Sequence, residues 1–317
     1  MKVTELLKET DKTHFTIEIL PPLKGRGIDE LYNILDPLME FDPKFIDVTY
    51  HREEYVYKSR GHGLLEKVPV RKRPGTIGIC AAIQNKYKVD TVPHLICGGF
   101  TKQSTEDALV DLHYLGIQNV LALRGDALHS EKNFNPEEGG NQYAVDLINQ
   151  IMDMNRGEYL DEDLSDPLKT DFCIGVAGYP EKHFEAPNMQ TDLKYLKLKV
   201  ERGASYIVTQ MFFDNKKYFQ FVRNCREMGI NVPIIPGIKP LTSFKQVRSL
   251  PSSFFIDLPE ELTSELEKCK DNSQVRQVGI EWCIQQCKEL VDFGVPCLHF
   301  YTMSRYKSTI AVAREIF

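Results

Sequence analysis

Short runs of apolar and β-branched residues recur along the chain at 15 to 20, 45 to 50, 92 to 97, 119 to 124, 172 to 178, 206 to 211, 233 to 238 and 296 to 302. These read as eight strands. The stretches between them carry apolar residues at helical spacing: Leu31, Ile34, Leu35 and Leu38; Leu109, Leu112 and Leu115; Phe219, Val222 and Cys225. Strand and helix alternating eight times predicts a parallel sheet, and eight such units close into a TIM (β/α)8 barrel. A doubly wound open sheet is the alternative. Residues 129 to 141 and 156 to 171 read as surface excursions, and the segment from Pro251 to Asp271, with a weak helix pattern, reads as an insertion before the last strand.

Composition narrows this picture. A chain of 317 residues that is 42% hydrophobic suits one large core, so residues 1–317 are expected to form a single domain. The first twenty residues hold charged and polar groups throughout, so neither a signal peptide nor a membrane anchor is expected, and the protein should be cytoplasmic. The eight cysteines, at 80, 97, 173, 225, 269, 283, 287 and 297, are scattered and are expected to be free, mostly buried thiols. Cys283 and Cys287 sit four apart on a predicted helix without the further ligands of a metal site, which favours core packing. A net charge of −6 argues against nucleic-acid binding. The basic run Arg71, Lys72 and Arg73 reads as a solvated loop before a helix, in preference to an anion site.

Barrels carry chemistry at the carboxyl ends of their strands. In FTIEILPP, Phe15, Ile17 and Ile19 share one face and Thr16 and Glu18 the other, which turns Glu18 into the barrel. A carboxyl among apolar neighbours is costly to ionise and suits a general acid; a salt bridge to a barrel Lys or Arg is the competing account. The second strand ends in Thr49 and Tyr50, with Asp47 at the parity of Thr49, and a hydroxyl there can bind ligand or cap the loop. His94 on the third strand is either a ligand-binding imidazole or a core residue. The fourth ends in LRGD, where Arg124, Gly125 and Asp126 offer close backbone approach and both charges, or an Arg–Asp pair that holds a turn.

In the fifth strand, Gly175, Ala177 and Gly178 leave room for something flat, and Tyr179, Glu181 and His183 follow. The next helix brings Asp192, Tyr195 and Lys199 to one face. Gln210 ends the sixth strand, where its amide can face a heterocycle or join a structural network. His299 and Tyr301 alternate with apolar neighbours in the eighth, and Arg305 follows in the loop. The Gly25-Arg26-Gly27 run lacks the third glycine of a dinucleotide fingerprint, and Walker, metalloprotease and nucleophile-elbow motifs do not occur.

Taken in order, FTIEILPP, KFIDVTY, PHLIC, ALRGD, AGYPEKHFEA, DLKYLKLK, YIVTQMFFD, IIPGI and HFYTMSR resemble the methylenetetrahydrofolate reductases over nearly the whole chain. The resemblance implies a flavin-containing TIM barrel that uses FAD and NADH or NADPH to reduce 5,10-methylenetetrahydrofolate to 5-methyltetrahydrofolate. Both substrates would use one flavin face in turn, in a ping-pong cycle that supplies methyl groups for methionine synthesis. It further implies that Glu18 is the acid that protonates the folate, and that Asp126 favours the cationic intermediate. The implied FAD-binding set is Thr49, Tyr50, His94, Arg124, Gly125, Asp126, Tyr143, Ala144, Tyr179, His183, Ala186, Asp192, Tyr195, Leu198 and Lys199. Gln210 and Gln246 would hold the pterin, Arg305 the glutamate tail, and Thr49 and Gln210 would also touch nicotinamide. A homo-oligomer is implied as well.

Leu250 stands where some members pack an aromatic against substrate, and Leu198 where relatives can carry a basic residue. The chain ends at Phe317, so the regulatory domain of longer members, with its inhibition by adenosylmethionine, is not expected. Two other classes compete: a flavin-free pterin barrel that transfers methyl groups, which would not need the Tyr179, His183, Asp192 and Lys199 surface, and a silent folate-binding subunit, which would not need Glu18 and Asp126.

Overall fold

The computed structural model describes all residues except 9–11, 129–130 and 304. Its parallel strands follow in chain order around a ring: His14–Ile19, Phe45–Val48, Asp90–Ile96, Asn119–Leu123, Cys173–Gly178, Ala204–Thr209, a seventh in two pieces, Ile234–Ile235 and Gly237–Ile238, and Cys297–Tyr301. The split seventh strand closes the ring. Its first piece pairs with the sixth strand, its second with the eighth, and the eighth with the first. Pro236 separates the pieces because it has no N–H to give the ladder; its carbonyl still accepts from the His299 N–H at 3.1 Å. Each predicted run thus overlaps a barrel strand, with bounds shifted by one or two residues, and the closed ring excludes the open doubly wound sheet.

Strand alternation divides the core into two shells. Phe15, Ile17 and Ile19 face outward to the helix layer, where the Phe15 ring meets Phe41, Phe300 and Phe317, each at 5.4 Å. Inside the ring, Phe45, Val92, Leu121, Cys173, Tyr206, Val208, Ile235 and Cys297 fill the lower layers. The short helix Val3–Leu6 plugs that end: Val3 and Leu6 join the inner cluster, and the Val3 N–H donates to Asn119 Oδ1 at 2.8 Å. Each such side chain contributes on the order of 2 kcal/mol by leaving water. With its floor sealed, the barrel opens at the carboxyl ends of its strands.

Several expectations need correction. The small residues of the fifth strand do not leave a slot for a flat ligand. A Cβ on Gly175 would lie 2.3 Å from Tyr206 Cζ, so that space holds the neighbouring ring, and one on Gly178 would lie 2.7 Å from Ile207 Cγ2. The basic run at 71–73 is a loop before the helix Thr76–Tyr87, as expected, but only Lys72 is exposed and the other two are partly buried. Arg73 donates to the Pro21 carbonyl, the Arg71 guanidinium lies 5.7 Å from the Tyr50 ring centroid, and Lys72 pairs with Glu54 at 2.5 Å. That run follows an antiparallel hairpin, Glu54–Ser59 with Leu65–Val70, which the hydrophobic pattern does not reveal because one face is exposed and the other, with Val56, Val68 and Val70, is only partly covered. Pro251 lies inside the helix Phe244–Phe254, and the weak pattern behind it is the helix Glu260–Glu267. Leu115 is 45% exposed, one residue past the helix Lys102–Tyr114.

The excursion at 156–171 lies mostly at the surface, as does 131–141; residues 129 and 130 of the latter, and Ser304 of the HFYTMSR run, lie outside the described residues. All eight cysteines are free, seven of them buried, with Cys283 and Cys287 on the helix Asn272–Asp292. Among the described residues no helix is long and apolar enough to cross a membrane.

Candidate active site

The upper interior of the barrel is a layer of ionisable side chains set by strand register. Glu18 lies opposite Tyr301 on one side and Asp47 on the other, and His94 faces inward from the third strand. His94 Nε2 stands 3.3 Å from Asp47 Oδ2 and 3.6 Å from Glu18 Oε2. Deeper in, Thr16 Oγ1 lies 2.9 Å from His299 Nδ1. The Thr302 N–H and hydroxyl both donate to the Glu18 carbonyl, at 3.2 and 2.8 Å, which fixes the strand end that carries the carboxyl.

Burial controls the charge of this layer. It pushes the Glu18 carboxyl up to about 7, with His94 opposing and Asp47 adding to the rise. Asp47 is also pushed up to about 7 by burial, opposed by His299. His94 and His299 are held below the usual imidazole range by the same loss of water, so both are neutral at pH 7. The base within 4 Å of Glu18 is the uncharged His94, and among the described residues neither a Lys nor an Arg pairs with the carboxyl. A carboxyl near 7 in a mouth open to ligand can both hold and release a proton at neutral pH.

The rim beyond the fourth and fifth strands gathers a second group. Arg124 donates to both Glu185 oxygens, at 2.5 and 2.9 Å, and its guanidinium lies 5.1 Å from the Phe134 ring centroid. Its carboxylate partner is therefore Glu185 and not Asp126, which stands exposed on the rim. Gly125 adopts φ +84°, and a Cβ there would meet Ile96 at 3.3 Å. The Tyr179 and His183 rings meet edge-on at 4.8 Å, and the His183 N–H donates to Asp192 Oδ2 at 2.8 Å. Lys199 reaches back to the Ala177 carbonyl at 2.9 Å; burial lowers its ammonium to about 8, with Asp192 opposing.

Other predicted residues lie around these two groups. Thr49 Oγ1 is 3.4 Å from His51 Nε2, and the Tyr50 ring packs 5.0 Å from Phe100. Tyr143 and Ala144 begin the helix Ala144–Arg156, where the Tyr143 N–H donates to Asp146 at 2.9 Å. Ala186 precedes the helix Met189–Glu201, on which Leu198 is half-buried and Tyr195 is 62% exposed.

Gln246 and Arg305 meet through Thr242. The Thr242 N–H and hydroxyl donate to Gln246 Oε1 at 2.7 and 2.9 Å, and the hydroxyl accepts from Arg305 Nη1 at 3.0 Å. Gln210 is apart from this chain; its Oε1 accepts from the Met211 N–H at 2.9 Å. Leu250 is buried among Met211, Phe213, Leu241 and Leu262, so it is a core residue. Glu185 and Lys239 belong to the site but do not stand out in the sequence, and Asp47 stands out only as a neighbour of Thr49. Parity was the available signal for two of them: Asp47 shares it with Thr49, and Lys239 with Ile235 and Gly237.

Residues 2–316 match the family model described as methylenetetrahydrofolate reductase. The chain is 36% identical over 329 residues to methylenetetrahydrofolate reductase (NADH) 1 of Arabidopsis thaliana, covering 100% of this chain and 51% of that protein. It is 30% identical over 302 residues to the 5,10-methylenetetrahydrofolate reductase of Salmonella typhimurium, covering 95% and 90%. It thus spans about half the length of the plant relative and most of the bacterial one. Among solved structures, an uncharacterized protein from Clostridium thermocellum that binds two copies of 5-methyl-5,6,7,8-tetrahydrofolic acid superposes with a TM-score of 0.60 at 14% identity, over 99% of both chains. An oxaloacetate acetylhydrolase does so with 0.51 at 11% identity, over 99% of this chain and 82% of that one. At such identities the likeness is one of fold.

Proposed function

The chain belongs to the methylenetetrahydrofolate reductase family, and from that premise we propose that it reduces 5,10-methylenetetrahydrofolate to 5-methyltetrahydrofolate with NADH or NADPH, through FAD, in a ping-pong cycle serving methionine synthesis. The observation that carries this reading is the Glu18 carboxyl, inside the barrel mouth, raised to about 7 and without a Lys or Arg ion pair among the described residues. Opening the methylene bridge needs a proton, and Glu18 is the group that gives it. The O–H bond of Glu18 breaks as an N–H bond forms on the folate, and the carboxylate keeps the electron pair. Asp126, exposed on the rim, supplies negative charge toward the cationic folate that results.

The rim residues fit FAD. Lys199 is an ammonium whose protein bond is to a neutral carbonyl and which, among the described residues, has no carboxylate within 4 Å, so an anionic group is its natural complement. Tyr179, His183, Asp192 and Lys199 would hold the cofactor with Arg124 and Gly125, flanked by Thr49, Tyr50, His94, Tyr143, Ala144, Ala186, Tyr195 and Leu198. When bound, FAD supplies the hydride relay between nicotinamide and folate. Gln210 would orient the pterin and, with Thr49, the nicotinamide. Gln246 would share the pterin, and Arg305, already steered by Thr242, would take the glutamate tail. A cytoplasmic homo-oligomer is part of the same proposal, and the free, buried thiols suit a reducing compartment.

Stopped-flow spectroscopy tests the reading directly. Flavin absorbance should bleach with NADH or NADPH and return with methylenetetrahydrofolate. Purified protein that is colourless and gains no flavin absorbance on adding FAD refutes it.

A further inference from the structure

Lys239 is only 3% exposed, and strand register sets where it stands. Gly237 lies opposite His299, Tyr301 opposite Glu18, and Glu18 opposite Asp47. Two residues past Gly237, Lys239 falls beside Tyr301, in the same interior layer as Glu18 and on the far side of Tyr301 from it. Its ammonium donates to the Tyr301 carbonyl at 3.4 Å, a long contact, and among the described residues no carboxylate pairs with it within 4 Å. A buried cation so weakly satisfied is costly to the fold, which points to a use beyond packing.

The charged and titratable groups around Glu18 come from every strand packed against it. Asp47 arrives from the second strand, His94 from the third, His299 and Tyr301 from the eighth, and Lys239 from the end of the seventh, with Arg305 acting on Lys239 from beyond. Burial and Asp47 favour the protonated carboxyl, while His94 and Lys239 favour the carboxylate. Burial keeps His94 neutral at pH 7, whereas Lys239, lowered to about 8, remains mostly charged. Lys239 is therefore the positive charge that persists when the proton moves.

We propose that Lys239 is a positioning residue for the proton step, its charge stabilising the Glu18 carboxylate left behind when the proton passes to substrate. This rests on the reading of Glu18 as the acid. The test uses Lys239→Met, which keeps the length of the side chain without its charge, and Lys239→Arg, which keeps the charge. The protonated-carboxyl infrared band, assigned to Glu18 by difference against Glu18→Gln, is titrated in each purified protein. In Lys239→Met the midpoint should rise by about one pH unit or more, and in Lys239→Arg it should stay near the wild-type value.

The alkaline limb of folate-driven flavin reoxidation should move with the midpoint. If Lys239→Met does not fold, Lys239→Gln provides the same loss of charge. An unchanged midpoint in a folded, charge-free variant overturns the proposal, as does an equal shift in the arginine variant, which would point to packing. A wild-type protein with no folate half-reaction refutes the proposed function instead, and the infrared midpoint still decides the electrostatic role of Lys239.

Discussion

Replacing Glu18 by Gln keeps the size of the side chain and removes the group that carries the proton. Two measurable effects follow. The first is kinetic: a positioned general acid is worth about 10²- to 10⁴-fold in rate, so folate-driven reoxidation should fall by that factor while nicotinamide-driven reduction of flavin, which needs no proton from Glu18, proceeds at the wild-type rate. The second is thermodynamic. The folded-state carboxyl stands at about 7 against an ordinary value of 4.5, so the folded protein binds the proton more tightly than the unfolded chain. Native stability is therefore highest, for this group, below pH 4.5 and is lost as pH rises toward 7. Above that window the penalty is on the order of 3 kcal/mol, an upper figure because Glu18 and Asp47 titrate together. Glu18→Gln removes this dependence. Urea unfolding at pH 5 and pH 8 should show the variant gaining stability over wild type at pH 8 and little at pH 5. Retained folate reduction refutes the acid assignment, and an identical pH dependence of stability in the two proteins refutes the buried, proton-holding carboxyl.

Lys199→Met should weaken FAD binding about tenfold or more, and the decline in wild-type affinity above pH 8, where the Lys199 ammonium loses its proton, should vanish in the variant; equilibrium titration of flavin fluorescence checks both. Gly175→Ala places a methyl group 2.3 Å from the Tyr206 ring and should cost about 1–3 kcal/mol or more in urea unfolding, whereas unchanged stability would mean that the ring has somewhere else to go. Leu250→Phe enlarges a residue 4% exposed within the core, so it should destabilise by about 1–3 kcal/mol without lowering the KM for folate; a lower KM would show that the position reaches the substrate after all.

The eight strands are legible in the sequence because barrel strands are buried on both faces and announce themselves as apolar runs. The hairpin at 54–70 carries no such signature: Tyr55, Tyr57 and Leu65 are 50%, 65% and 65% exposed and no residue of either strand is buried, so its apolar side chains mark no core. The same distinction separates the legible from the illegible part of the site. Glu18 stands out because a lone carboxylate interrupts an apolar strand, which is a local anomaly. Asp47 does so as well, but Thr49 and Tyr50 behind it draw the chemistry to the strand end. What no local pattern supplies is the coupling between them. His94 lies 47 residues from Asp47 and 76 from Glu18, and the parallel pairing of the first three strands is what brings its nitrogen to 3.3 and 3.6 Å from the two carboxyls.

Lys239 is hidden more completely. It follows a strand of two short pieces interrupted by proline and reads as the start of a polar loop, whereas the register of Gly237 on His299 carries it into the interior. The small fifth strand shows the converse error. Gly175 looks like vacancy in one dimension and is occupied in three, because Tyr206 comes from the adjacent strand. Sequence periodicity thus assigns each residue a face, while the charge state of Glu18 is a property of the closed ring. The carboxyl titrates near neutrality only where burial, Asp47, His94 and Lys239 act on it together.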